Sequence, residues 1–153
     1  MNTPVIHEFR GDMAFLSNFY PSPFMEWGYV WETVEHAFQA AKAKDDVQFH
    51  VIRQATSPAL AKKLGRSCIM RPTWNNEKLD IMRKLLFLKF HSNPLLKEKL
   101  LATGKMVLEE GNWWGDCFWG ISPAGSGNGK NHLGIMLMEV RAHYLIQQIN
   151  FTR

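Results

Sequence analysis

The segment Thr33-Val34-Glu35-His36-Ala37-Phe38-Gln39-Ala40-Ala41-Lys42 constrains this chain more than any other. Thr33 is an N-cap residue, and everything after it favours a helix from Val34 to about Ala43. At 100° per residue, Glu35, Gln39 and Lys42 fall within about 60° of one another. Ala37, Phe38, Ala40 and Ala41 leave much of the remaining surface small or apolar. Two readings fit that pattern. Either the helix is packed on most sides and its polar stripe opens into a cavity, or it is an exposed amphipathic helix with a solvated polar face.

Helix starts recur along the chain. Asp45 or Asp46 opens a helix to about Ala55, and Ser57-Pro58 places a cap before a proline at the first helical position, with Gly65 as the stop. Leu79, Met82, Leu86 and Phe90 lie on the apolar face of a longer helix from about Asn75 to Phe90. Asn93-Pro94 repeats the cap-and-proline start of a helix ended by Gly104, and Leu133 to Ile149 forms the last helix. Strand signals are short: Val5 to Phe9, a hairpin from Phe24 to Thr33 around Trp27-Gly28, and Met106 to Leu108. Phe15 to Pro21 reads as an aromatic-rich loop. With no repeat or linker, the fold class is mainly α with a few short β-strands, in one domain over residues 1–153.

Composition excludes more than it names. Hydrophobic residues at 46% and charged ones at 21% are those of a globular domain, and no apolar run reaches the roughly 20 residues of a membrane helix. Met1 to Arg10 has no signal-peptide core, and Cys68 and Cys117 form no CxxC motif, so a cytoplasmic protein with reduced thiols is expected. The six histidines show no metal-ligand spacing, and no G-x-S-x-G elbow exists, which disfavours zinc enzymes and α/β-hydrolases. No metal and no cofactor is expected. A net charge of +4 suits an anionic partner, but the cations are scattered among acids and no DNA-reading motif is present.

The run Gly125-Ser126-Gly127-Asn128-Gly129-Lys130-Asn131 looks like a phosphate loop and fails the test. Ala124 and Asn131 stand where a P-loop needs Gly and Ser or Thr, and Lys130 replaces the third glycine of the dinucleotide fingerprint. A generic role remains open, backbone N–H groups offered to an anion at a helix start, beside the plainer one of a connector and cap. Glu109 to Asp116 sets acids beside Trp113 and Trp114, a pattern that suits sugar hydroxyls and base stacking, although these residues alone favour a hydrophobic cluster with a surface turn.

In order and spacing, several segments together resemble the NADAR (YbiA-like) family across nearly the whole chain. They are Phe9-Arg10-Gly11, Phe15-Leu16-Ser17-Asn18-Phe19, Thr33 to Lys42, Ser57-Pro58, Leu64-Gly65-Arg66, Trp74, Met82-Arg83-Lys84, Trp114-Gly115-Asp116 and Gly129 to Met138. The resemblance implies a compact, mostly helical domain that cleaves ribosyl N-glycosidic bonds. Two substrate classes go with it: early phosphoribosylated intermediates of riboflavin synthesis, and ADP-ribose attached to a nucleobase, chiefly guanine, including on nucleic acid. No obligate protein partner is expected.

Breaking a ribosyl C–N bond builds positive charge at the anomeric carbon, so the site needs a carboxylate, a proton for the departing base, and grips on phosphate and base. Glu35 is the expected catalytic carboxylate. Lys42 is a nucleophile if burial lowers its pKa, or an electrostatic stabiliser if it pairs with Glu35. Asp116 would hold ribose hydroxyls or position water, beside Glu109 and Gly115. Trp74 and Trp114 are candidate stacking walls. Arg10, Ser17, Asn18 and the Gly129 to Asn131 loop, with Lys130 and Asn131, are candidate phosphate ligands. Gly11 is a further substrate-binding candidate, Phe19 could line the ribose pocket, and Gln39 belongs to the binding stripe. The competing class is a module that binds ADP-ribose without cutting it. It would not need a Glu/Lys pair on one helix face.

Overall fold

A computed structural model describes residues 2–152. In order, the elements are β1 (Val5–Ile6), a 3-10 helix (Gly11–Leu16), β2 (Phe24–Glu26), β3 (Tyr29–Trp31), α1 (Val34–Lys42), α2 (Asp46–Arg53), α3 (Pro58–Ser67), α4 (Trp74–Ser92), α5 (Pro94–Ala102), β4 (Val107–Leu108) and α6 (His132–Phe151). The fold is mainly α with short strands. Its contacts divide the chain into a unit spanning residues 18–93 and a second unit made of the residues up to Ser17 together with those from Pro94 onward.

The unit of residues 18–93 is built around α1, which packs against α2, α3 and α4. Val34, Ala37, Ala40 and Ala41 are buried, and their small side chains let three helices come close to one backbone. The helix starts are set locally. Thr33 Oγ1 accepts the His36 N–H at 3.1 Å, Asp45 Oδ1 the Gln48 N–H at 2.8 Å, and Ser57 Oγ the Leu60 N–H at 3.0 Å. His36 is buried and pins the first of these starts to the end of α2. Its Nδ1 is 2.8 Å from Thr33 Oγ1 and its Nε2 is 2.9 Å from the Ala55 carbonyl, so both ring nitrogens are engaged. Along α4, Met82, Leu85, Leu86 and Phe90 are buried, each contributing roughly 2 kcal/mol of apolar burial. The hairpin pairs Phe24 with Trp31 and Glu26 with Tyr29. Its two-residue turn holds Trp27 at φ 53° and Gly28 at φ 80°, the double positive φ of a type I′ turn.

In the other unit, β1 runs parallel to β4, with Val5 opposite Val107 and Ile6 opposite Leu108. α6 packs on β4 and α5. Thr103 Oγ1 donates to the Leu100 carbonyl at the end of α5 and accepts from Arg141 Nη1 at 2.8 Å, so a side chain of α6 holds the threonine that follows α5.

Two expectations need correction. Gly65 does not end α3, which runs on to Ser67. The stretch before Ser17 is not plain loop, because Gly11–Leu16 forms a 3-10 helix that Gly11 enters at φ 56° and that buries Phe15 and Leu16.

Candidate active site

The polar stripe of α1 is buried. Glu35 and Gln39 are each 7% exposed, which decides between the two readings of this helix: the stripe is not a solvated surface. Gln39 Nε2 donates to Glu35 Oε1 at 2.8 Å, and Gln39 Oε1 accepts from Lys42 Nζ at 3.3 Å. Carboxylate and amine are thus joined through one amide.

Burial is the main influence on both ends. It pushes the Glu35 carboxyl above its ordinary 4.5, against the Gln39 hydrogen bond and the charges of Lys62, Lys42 and His36. Burial also pulls the half-buried Lys42 amine below 10.5, against Cys68 and Glu35, with Arg66 and Lys78 acting in the same sense as burial. Each shift favours the neutral form of its group.

The surroundings of the stripe come from three elements. The Asn18 carbonyl accepts the Glu35 N–H at 3.1 Å, so the chain just before the hairpin meets the first turn of α1. Asn18 is buried, its Nδ2 lies 3.5 Å from Met82 Sδ, and its Oδ1 has no hydrogen-bond partner. From α3, Gly65 lies directly under the Gln39 side chain. Beyond α3, Lys44 N–H donates to Ile69 O at 2.8 Å and Arg71 N–H to Lys42 O at 3.0 Å, which ties the end of α1 to residues 69–71.

The glycine-rich loop is used differently. Lys130, Asn131, His132 and Leu133 donate their backbone N–H groups to the carbonyls of Cys117, Gly120, Phe118 and Trp119, at 2.8 to 3.3 Å. Asn131, left-handed at φ 52°, spends its side chain inside the protein: Oδ1 accepts from Glu110 N–H at 2.9 Å, and Nδ2 donates to Leu108 O at 2.9 Å. Gly129, at φ 147°, sits against the Gly120 carbonyl with no room for a Cβ. The anion-binding reading of these N–H groups is therefore corrected. They are satisfied by the neighbouring loop, and Asn131 holds the start of α6 in place rather than offering its amide to a phosphate.

Asp116 also organises a loop. Its Oδ1 accepts from the N–H groups of Phe118 (3.1 Å) and Trp119 (3.0 Å), while Asn112 bonds its N–H and carbonyl. Gly115, at φ 88°, donates its N–H to Ser122 Oγ at 3.0 Å. Trp114 is 66% exposed. Glu109 is mostly covered, with Oε2 3.7 Å from His7 Nδ1. Arg10 is exposed and 3.7 Å from Glu8.

The family model for the NADAR domain matches residues 7–144. The chain belongs to the NADAR family. It is 39% identical over 139 residues to N-glycosidase YbiA of Escherichia coli (strain K12), covering 90% of this chain and 85% of that protein. The NMR structure of the E. coli protein YbiA matches it with a TM-score of 0.84 at 37% identity, over 97% of this chain and 89% of that one. It is also 37% identical over 130 residues to riboflavin biosynthesis protein VVA0006 of Vibrio vulnificus, covering 84% of this chain but 35% of that longer protein. This NADAR chain is an N-glycosidase. That sets aside the binding module that does not cut.

Within the NADAR fold, the expected residues do not all behave alike. Glu35, Gln39 and Lys42 come together, with Asn18 at the same helix start. Phe19, beside Asn18, is 37% exposed with Lys62 Nζ 5.8 Å over its ring. Trp74 is only 4% exposed and lies against Phe38 at 5.0 Å between ring centroids. It packs as core, which leaves little ring face for a base to stack on. Sequence reasoning missed Gly65, Cys68 and Lys62 as neighbours of the stripe. Gly65 carried a signal, a glycine where the helix gains nothing locally from one. Cys68 and Lys62 carried none.

Among the described residues, no group of three or more His, Cys, Asp or Glu is placed to hold a metal ion, and no helix is long and apolar enough to cross a membrane.

Proposed function

We propose that this NADAR N-glycosidase cleaves the bond between a phosphorylated ribose and a nitrogen base, with Glu35 and Lys42 as the reacting pair. The supporting observation is the buried hydrogen-bonded chain Glu35–Gln39–Lys42 on one face of α1.

Burial makes the two ends complementary. A carboxyl raised above 4.5 keeps its proton to higher pH and can pass it to the departing base nitrogen. The carboxylate left behind then stabilises positive charge at the anomeric carbon. An amine lowered below 10.5 is neutral more often, and its lone pair attacks that carbon. The N–C bond to lysine forms as the bond to the base breaks. The furanose ring opens to an imine, water adds to it, and the lysine leaves as the free sugar phosphate is released.

Arg10 and Lys130, both exposed, are proposed as phosphate contacts, and Trp114 as the ring on which the base stacks. Kinship to a riboflavin biosynthesis protein supports a phosphoribosylated intermediate as substrate. ADP-ribose on guanine is the second class, since it presents the same ribosyl bond. Incubation with each class separately, followed by mass spectrometry of the released base, tests the proposal. Free base together with a ribose phosphate or ADP-ribose product from either class is the expected result. If neither releases base at enzyme concentrations equal to substrate, the proposed substrate chemistry is wrong.

A further inference from the structure

Gln39 is more buried than a ligand-binding amide needs to be, and each end of its amide is engaged within its own helix. Glu35 and Lys42 are seven residues apart, about 10.5 Å along the helix axis. A lysine arm and a glutamate arm together can span that distance, because Lys42 leans towards the N-terminus and the Glu35 carboxyl is already turned the other way, towards Gln39. They do not meet. The Gln39 carboxamide stands between them, its N–H on the carboxylate and its oxygen on the amine.

A second element holds the amide there. Gly65 lies in the interior of α3, where a glycine weakens the helix and where its φ requires none. A Cβ at this position would collide with Gln39 Oε1, come 2.7 Å from Cδ and lie 3.1 Å from Cβ. Gly65 is a notch cut to the shape of the Gln39 side chain. Held by its two hydrogen bonds and seated against Gly65, that side chain stands between the two ends.

We propose that Gln39 is a positioning residue, a neutral spacer seated in the Gly65 notch that keeps Glu35 and Lys42 from closing into a direct ion pair. This inference rests on the proposed roles of Glu35 and Lys42. A direct ion pair would hold the carboxyl ionised and the amine protonated, and both reactive forms would be lost. Removing Gln39 also removes its own hydrogen bond to Glu35, which favours the carboxylate, but attraction between opposite charges grows as their separation shrinks, and a pair closed to contact outweighs that loss. The other charged or titratable groups facing the pair are Lys62, Arg66, Cys68 and Lys78, with His36 on α1 itself, and none of them changes in the variants below.

The test uses ribose 5-phosphate, whose open-chain aldehyde condenses with a neutral amine and is trapped by cyanoborohydride as a stable secondary amine. Wild type, Gln39→Ala, Gly65→Ala and the double variant are treated across pH 6 to 9, and the adduct on Lys42 is quantified by peptide mapping. In Gln39→Ala, the pH midpoint for adduct formation should move up by about one unit, a roughly tenfold loss of reactive amine at neutral pH. On the enzyme's own substrate, kcat should fall by about tenfold with KM changed less than about threefold. Gly65→Ala should move the midpoint the same way, and the double variant should match Gln39→Ala, because the added methyl has nothing left to displace. Should Gly65→Ala fail to fold, the Gln39→Ala midpoint decides alone. An unchanged or lowered midpoint in Gln39→Ala, with Lys42 trapped normally in wild type, overturns the spacer and leaves the reaction standing. No adduct in wild type together with a fully active Lys42→Ala removes the lysine chemistry, and the spacer with it.

Discussion

The α1 stripe and the glycine-rich loop before α6 make opposite uses of polar groups. On α1, a carboxylate and an amide are buried and hydrogen-bonded to each other, and the amide is also bonded to Lys42. In the loop, successive backbone N–H groups and the Asn131 side chain are all taken up by neighbouring carbonyls and one N–H. The loop looks like a phosphate loop in sequence, but its backbone and the Asn131 side chain form a joint. The helix resembles any amphipathic segment, and it is where we propose that the chemistry lies. Polar groups paired within a loop stabilise it, whereas buried titratable groups pushed towards their neutral forms are costly to charge, and reaction centres concentrate that cost.

The largest effect expected is on turnover. Glu35→Gln keeps the shape and the contact to Gln39 but removes the proton and the charge, so kcat should fall by about a thousandfold, roughly 4 kcal/mol of transition-state stabilisation. Steady-state rates measured beside calorimetric ligand binding would show this. A variant with more than a tenth of wild-type kcat would move the chemistry off α1.

The joint should fail differently. Gly129→Ala puts a methyl onto the Gly120 carbonyl at a φ that side chains avoid, and should cost about 3 kcal/mol of stability or prevent folding. Asn131→Ala strands the Glu110 N–H and the Leu108 carbonyl, at a cost of about 2 kcal/mol. Denaturant melts read both. If either variant keeps full stability and instead loses phosphate affinity, the loop backbone and the Asn131 amide are ligands after all.

The smallest effect sharpens the contrast most. Because the folded-state pKa of Glu35 is raised, the folded protein holds its proton more tightly than the unfolded chain does. The carboxyl therefore costs nothing below about pH 4.5 and destabilises as pH rises through that value towards the folded one. Glu35→Gln should be more stable than wild type at pH 7 by about 1 kcal/mol, or roughly 3 °C in Tm, with the gain vanishing near pH 4. A loss of stability at pH 7 would mean that the carboxylate is structural.

Much of the helical fold was legible because its signals are local. Thr33, Asp45, Ser57-Pro58 and Asn93-Pro94 each mark a start that depends on three or four neighbouring residues. Gly65 was misread as a stop because its reason lies across the interface, in the Gln39 side chain. The pairing of β1 with β4 joins residues about a hundred positions apart, and nothing local announces it. Spacing placed Glu35, Gln39 and Lys42 on one face, but only the packing of α2, α3 and α4 determines whether that face is wet or dry. The loop was unreadable for the opposite reason. Its N–H partners are carbonyls of residues 117–120, and every residue has a carbonyl.

The central claim is that the buried face of α1 is where the sugar reacts. Borohydride added during turnover should raise the protein's mass by one reduced ribosyl product, and peptide mapping should place that adduct on Lys42. It should be absent from Lys42→Arg, whose guanidinium stays protonated. No adduct in wild type, combined with undiminished turnover by Lys42→Ala, would contradict the claim and leave direct attack by water as the route.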